Sequence, residues 1–86
     1  MALFNNALQR NLSVGFSGRD VTILQQFLIN AGVYPEARVT GYFGQLTKFA
    51  LQKFQQEQNI SPAVGYFGPI TKKRMSNLIK LRDVSF

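Results

Sequence analysis

The chain has 86 residues and a formal charge of +6, and it contains neither cysteine nor histidine. This length supports one small domain. The missing residue types exclude disulfides, Ser–His and Cys–His catalytic pairs, and zinc sites built from histidine or cysteine. With only four acidic residues, no set of side chains fills the roles of a catalytic site, so we expect no enzymatic activity and no cofactor.

The positive charge favours attraction to a polyanion such as nucleic acid, an anionic membrane or an anionic cell wall. Composition alone does not distinguish among these partners. The positive charge is also consistent with a solvated surface that binds no polyanion. No apolar run is long enough to span a membrane. The first eleven residues lack the basic stretch and apolar core of a signal peptide, so any export signal is expected outside this sequence.

Residues 1–11 are predicted to form an amphipathic extension that packs on the main domain. The apolar residues Leu3, Phe4 and Leu8 in this stretch motivate the prediction. The domain itself is predicted to span residues 12–81, followed by a tail over residues 82–86.

A first helix is predicted from Arg19 to Ala31. Its buried stripe follows the i, i+3, i+7 rule and comprises Val21, Leu24, Leu28 and Ala31. Ser17 and Asp20 resemble a capping box at the start. At the other end, Gly32 suits the left-handed residue of a Schellman-type cap.

Two more helices are predicted, from Gln45 to Gln58 and from Pro69 to Leu81. Asn59 repeats the helix-ending role of Gly32. The inward faces are expected to comprise Leu46, Ala50, Leu51 and Phe54 in the second helix, and Ile70, Met75, Leu78 and Ile79 in the third.

A tetrapeptide occurs twice, as Gly41-Tyr42-Phe43-Gly44 and as Gly65-Tyr66-Phe67-Gly68, and a weaker copy spans residues 15–18. Each copy precedes a predicted helix, so the repeat indicates a tight turn whose second glycine is the N-cap. Phe43 and Phe67 are expected in equivalent core positions. The sequence therefore predicts a compact all-α domain of three helices, with short glycine-rich turns and an internal pseudo-repeat.

The pattern as a whole resembles the peptidoglycan-binding domain 1 family over about residues 12–78. The residues that carry the resemblance are Gly15-x-x-Gly18-x-Asp20-Val21-x-x-Leu24-Gln25-x-x-Leu28, Gly32, Thr40-Gly41-Tyr42-Phe43-Gly44-x-x-Thr47-x-x-Ala50-Leu51-x-x-Phe54-Gln55, Ile60 and Gly65-Tyr66-Phe67-Gly68-Pro69-x-Thr71. One feature of the family is absent: Thr40 and Val64 stand where relatives commonly have an acidic residue before the turn.

The resemblance implies a non-catalytic module that anchors a protein or a partner cell-wall hydrolase to murein. We expect the module to be a monomer. It also implies a location in the cell envelope, periplasmic or extracellular. Either the glycan or the stem peptide of peptidoglycan is the expected partner. Gln25 and Gln55 match the family's Leu-Gln and Phe-Gln pairs, and we expect them to bond the backbone of the turns rather than a ligand.

The candidate ligand-binding residues are Tyr34, Arg38, Tyr42, Gln45 and Tyr66. If each turn buries its phenylalanine, its tyrosine is left near the surface, where a ring with a polar tip suits a sugar or a peptide. Arg38 is placed to bind a stem-peptide carboxylate. The alternative is that both tyrosines lie over the core as lids.

Two other functions remain open at this stage. The basic run Lys72-Lys73-Arg74 on the third helix would suit a nucleic-acid-binding domain, although the long connections do not match a helix-turn-helix. A structural or protein-interaction module without murein binding is the other alternative.

Overall fold

The computed structural model describes residues 8–34, 36 and 38–84, with side chains through residue 79. Three helices form the described chain: α1 (Arg19–Asn30), α2 (Gln45–Glu57) and α3 (Pro69–Val84). All three begin where the sequence predicts. Helix α3 ends three residues later than predicted, so residues 82–84 are helical rather than part of a tail.

Helices α1 and α2 begin at glycines without a side-chain cap. Gly18 and Gly44 are their N-caps, and no side chain forms a capping hydrogen bond at either helix start. The predicted capping box of Ser17 and Asp20 is therefore wrong. The Asp20 carboxylate instead accepts two charge-assisted hydrogen bonds from Arg10, at 2.9 and 3.0 Å, and one from the N–H of the adjacent Val21 at 2.9 Å.

Helices α1 and α2 end in the same Schellman motif, as predicted. Gly32 has a φ of 78° and Asn59 a φ of 58°. The N–H of the residue that follows each of them bonds a carbonyl in the last turn of the helix. The Val33 N–H donates to the Leu28 carbonyl at 3.2 Å, and the Ile60 N–H donates to the Gln55 carbonyl at 2.8 Å. These bonds satisfy carbonyls that the helix leaves open.

Residues 12–17, which contain a turn at Val14 and Gly15, join the two glycine-rich turns. Leu12 pairs with Phe67 and Ser17 pairs with Tyr42 in isolated antiparallel bridges. The Phe43 N–H also donates to the Phe16 carbonyl at 2.8 Å. The chain before the first helix therefore fastens both turns to one side of the domain. Leu8 is buried; Leu3 and Phe4, on which the prediction of a packed N-terminal extension also depends, lie outside the described residues.

Phe43 and Phe67 are fully buried, as the repeat predicts. They pack in one cluster, whose other members are Leu8, Leu12, Val21, Leu24, Leu28, Val33, Ala50, Leu51, Phe54, Ile60 and Met75. The rings of Phe27 and Phe54 meet edge to face with centroids 5.6 Å apart.

Three residues predicted to point inward, Ala31, Leu46 and Ile70, are exposed; Ala31 lies just beyond the last residue of α1 as its C-cap. Leu46 is 43% exposed and Ile70 is 63% exposed. The buried stripe of α2 instead runs through Thr47, Ala50, Leu51 and Phe54, and that of α3 includes Thr71 and Met75. Each threonine turns inward because it bonds a buried glutamine of the preceding helix, which places its neighbour on the outside. Among the described residues, no helix is both long and apolar enough to cross a membrane.

Candidate functional site

The first glycine-rich turn is built around the buried side chain of Gln25. Its Oε1 accepts hydrogen bonds from the N–H groups of Thr40 and Gly41, at 2.9 and 3.0 Å. Its Nε2 donates to the Tyr42 carbonyl and to the Thr47 hydroxyl, both at 3.0 Å. One amide therefore holds the backbone of the turn and the start of α2 together, which confirms its predicted structural role.

Gln55 does the same for the second turn. Its Oε1 accepts from the Gly65 N–H at 2.9 Å, and its Nε2 donates to the Tyr66 carbonyl at 2.9 Å and to the Thr71 hydroxyl at 3.1 Å. Both glutamines have an exposed fraction of 2% or less. Their side-chain amides hold the backbone of the turns and are not accessible to a ligand.

Each turn buries its phenylalanine and exposes its tyrosine, as the sequence predicts. Tyr42 is 52% exposed and Tyr66 is 45% exposed. The rings also pack on the second glycine of their own turns. A Cβ atom added to Gly68 would lie 2.6 Å from Cε2 of Tyr66, and one added to Gly44 would lie 3.3 Å from Cε2 of Tyr42. Each ring is therefore held on one side and open to solvent on the other.

Thr40 immediately precedes the first glycine-rich turn. Its Oγ1 accepts a hydrogen bond from the Tyr42 N–H at 3.2 Å, and the Gln25 amide donates to the same hydroxyl at 3.1 Å. The hydroxyl thus takes part in holding the first turn. Val64, the matching residue of the second turn, is 51% exposed.

The other predicted site residues lie around the first turn. The Tyr34 hydroxyl is 2.7 Å from the Thr47 hydroxyl, and its side chain is half-buried against the core. Gln45, the first residue of α2, is exposed, as is Arg38 in the preceding loop. Tyr34 and Tyr42 share the Gln25 network, whereas Tyr66 belongs to the second turn.

A surface groove of about 150 Å³ lies beside the second turn. Its lining includes Tyr66 and two exposed apolar residues that sequence analysis did not select, Val64 and Ile70. The apolar spacing of α3 predicts Ile70 in the core, because it lies near the apolar stripe of that helix. Thr71 is buried instead, because its hydroxyl bonds Gln55 in another helix, and this leaves the neighbouring Ile70 exposed.

A charge pair between Arg10 and Asp20 lies away from this groove. Arg10 donates through Nε and Nη2 to the two carboxylate oxygens of Asp20. It also bonds the Ser17 carbonyl and lies 5.1 Å from the ring centre of Phe16. The hydrogen bonds from Arg10 lower the pKa of Asp20 below its ordinary value. Asp20 is thus held ionised as a structural anion.

The basic run on α3 is partly used within the domain. Lys72 Nζ donates to the Gln9 carbonyl at 2.7 Å, and Arg74 bonds the carbonyl of Gln58 at the end of α2. A cation at a helix C-terminus is favourable because the open carbonyls carry partial negative charge. Two of the three cations therefore have structural roles, which weakens the nucleic-acid alternative. Within the described ranges, no cluster of His, Cys, Asp and Glu is suited to a metal ion.

Fold and turns together define a small helical binding module made from a repeated turn-and-helix unit. A family model described as "Putative peptidoglycan binding domain" matches residues 17–75, and the chain belongs to this family. Its fold is similar to the crystal structure of the SleB N-terminal domain, with a TM-score of 0.74 and 35% sequence identity. That match covers 80% of this chain and 92% of the other.

No functionally curated protein matches this chain. Membership of the family makes the chain a peptidoglycan-binding module that associates with the cell wall or envelope.

Proposed function

We propose that this module binds murein through the exposed face of its two glycine-rich turns, without cleaving it. The observation that carries this proposal is the pair of half-exposed tyrosines, Tyr42 and Tyr66, which occupy equivalent positions held rigid by buried glutamines. Aromatic rings fixed in this way offer an apolar face to a sugar ring or a peptide at little cost in side-chain entropy.

The loop before the first turn adds polar groups to this face. Arg38 is exposed and matches the carboxylate of a stem peptide. Gln45 adds an exposed amide at the start of α2. We assign Tyr34 mainly to the support of this surface, since its hydroxyl bonds Thr47.

The absence of catalysis is proposed from the placement of the acidic residues. A glycosidase needs two carboxyl groups about 5–10 Å apart across its substrate. Asp20 is bound by Arg10, and Glu57 borders a separate hollow beside Phe27 and Leu78. We therefore propose a monomeric anchor that keeps a cell-wall hydrolase, on the same chain or a partner chain, at its substrate in the periplasm or outside the cell.

Sedimentation with purified sacculi tests the proposal. The wild-type domain should be depleted from solution at physiological salt without releasing soluble muropeptides. Removing both rings, in the double variant Tyr42→Ala and Tyr66→Ala, should weaken binding by about tenfold or more, since loss of a buried aromatic contact costs about 1 kcal/mol or more.

Phe49→Ala is the matched control, because Phe49 is 56% exposed and lies on α2 outside both turns. This variant should bind sacculi like the wild type. Equal binding by the double variant would refute the role of the tyrosines. Equal depletion of the wild type by cellulose would refute specific murein binding.

A further inference from the structure

The two repeats differ sharply at one position just after the helix end. Val33-Tyr34-Pro35 follows Gly32 in the first repeat, and Ile60-Ser61-Pro62 follows Asn59 in the second. Val33 and Ile60 are both buried and make the same hydrogen bond back to their helices. Tyr34 and Ser61 therefore correspond, and a large aromatic residue in one repeat is matched by a small hydroxyl residue in the other.

In the first repeat, Tyr34 fills the space between the turn and the start of α2. Its ring packs against the core and its hydroxyl lies 2.7 Å from Oγ1 of Thr47. The Gln25 amide donates to the same threonine oxygen at 3.0 Å. Thr47 thus has two hydrogen-bond partners, one from the glutamine and one from the tyrosine.

In the second repeat, the equivalent space is the groove of about 150 Å³. Thr71 corresponds to Thr47 and accepts from the Gln55 amide at 3.1 Å. Within the described part of the chain, no hydroxyl takes the place of the one Tyr34 supplies. Thr71 and Ser61 both line the groove, so their O–H groups can donate to a bound molecule.

We propose that this groove is a glycan subsite that takes one uncharged six-membered ring of the murein strand. Tyr34 is the template for this assignment, because it places a six-membered ring with one hydroxyl against the equivalent glutamine and threonine of the first repeat. The size agrees, since an apolar cavity of about 150 Å³ holds a benzene ring. The proposal rests on murein binding and names the part of murein that enters the groove.

The charge of the lining distinguishes the glycan from the stem peptide. None of the ten residues that line the groove is charged at neutral pH. A stem peptide would bring free carboxylates, whose burial without a partner is costly. An N-acetylated sugar instead offers apolar C–H and methyl groups to Tyr66 and Ile70, and an oxygen that accepts from Thr71.

Ser61→Tyr is the direct test, because it installs in the second repeat the residue that fills the first. Amide shifts of labelled protein would be followed in titrations with peptide-free murein glycan and, separately, with the free stem tetrapeptide. In the wild type, glycan should shift residues 60–71. In S61Y, glycan affinity should fall at least about tenfold because the contacts of the subsite are replaced, while the melting temperature confirms folding.

Ile70→Lys provides a second variant that leaves the core unchanged, since Ile70 is 63% exposed. Leu46→Lys is its matched control at the equivalent position of the first repeat. Both add one positive charge, so electrostatic attraction to the wall changes equally. We expect I70K to weaken glycan binding about fivefold or more by charging the groove, and L46K to remain within about twofold of the wild type.

The outcomes separate this inference from murein binding itself. If S61Y and I70K bind glycan like the wild type, or if the stem peptide alone shifts the groove residues, the glycan subsite is refuted while sedimentation with sacculi still supports murein binding. If the wild type does not bind sacculi, both proposals fail.

Discussion

Gln25 and Gln55 set the shape of the two turns from inside the domain. Each uses its amide oxygen to accept backbone N–H groups and its amide nitrogen to bond a carbonyl and a threonine. An amide is suited to this position because it donates and accepts at once while carrying no charge that would oppose burial. The exposure of Tyr42 and Tyr66 is a consequence of this buried chemistry.

Replacing Gln25 by leucine should destabilise the domain strongly. The change leaves the N–H groups of Thr40 and Gly41 without their acceptor, and each unsatisfied buried group costs about 1–3 kcal/mol. We expect a loss of roughly 3 kcal/mol or more in the free energy of unfolding, measured by urea denaturation. Gln26→Leu is the control, since Gln26 is exposed on the same helix. Similar losses in both variants would contradict the role of Gln25.

At the scale of elements, the unit of this fold is a tight turn, a helix and a left-handed helix end. The connection from Gly32 to Gly41 is three residues longer than that from Asn59 to Gly65. The shorter connection holds its turn close to the preceding helix: a Cβ atom added to Gly65 would lie 3.0 Å from the Lys48 carbonyl oxygen. The second repeat is thus the more tightly joined of the two.

Gly65→Ala should therefore cost more stability than Gly32→Ala. Both glycines have nearly the same φ, 79° and 78°, so the strain of a left-handed alanine, about 1–2 kcal/mol, is common to the pair. Only Gly65 adds a steric conflict, because nothing lies within 4 Å of a Cβ atom at Gly32. Thermal unfolding of the two variants measures the difference. Equal melting temperatures would show that the turn can move away from α2.

At the scale of the whole molecule, the segment before α1 holds the turns in place. It pairs with both Phe67 and Tyr42 through residues 12–17, and the Gln9 carbonyl accepts from Lys72. The bidentate pair of Arg10 and Asp20 closes this segment onto the start of α1. The two turns that form the proposed murein face are therefore linked through the N-terminal segment as well as through the helices.

Acidification should weaken the ion pair of Arg10 and Asp20, which connects the N-terminal segment to α1. The pKa of Asp20 is lowered in the folded state, so its contribution is fully present above the ordinary carboxyl pKa of about 3.9 and is lost as the pH falls through the lower folded value. We expect Asp20→Asn to lower the melting temperature by about a few degrees at pH 6. The difference from the wild type should shrink below about pH 4. A difference that is constant from pH 6 to pH 2 would contradict an ionic role for Asp20.

Local sequence determined the helices, their starting residues, the left-handed ends and the burial of Phe43 and Phe67. These features depend on residues close together in the chain: apolar spacing, glycine or asparagine after the last turn, and proline at a first helical position. The structural role of Gln25 and Gln55 and the outward position of the tyrosines were predictable for the same reason, because each lies at a fixed offset within the repeat.

Tertiary structure alone decided which polar side chains pair across the domain. Arg10 bonds Asp20 ten positions away, and Asp20 does not take part in the expected capping box. Gln55 bonds Thr71 sixteen positions away and so leaves Ile70 on the surface. Periodicity within one helix carries no information about such partners, since it ranks positions by apolar character and not by what lies opposite. The groove beside Tyr66 follows from the same contacts, because it forms where the first repeat places Tyr34 and the second has only Ser61.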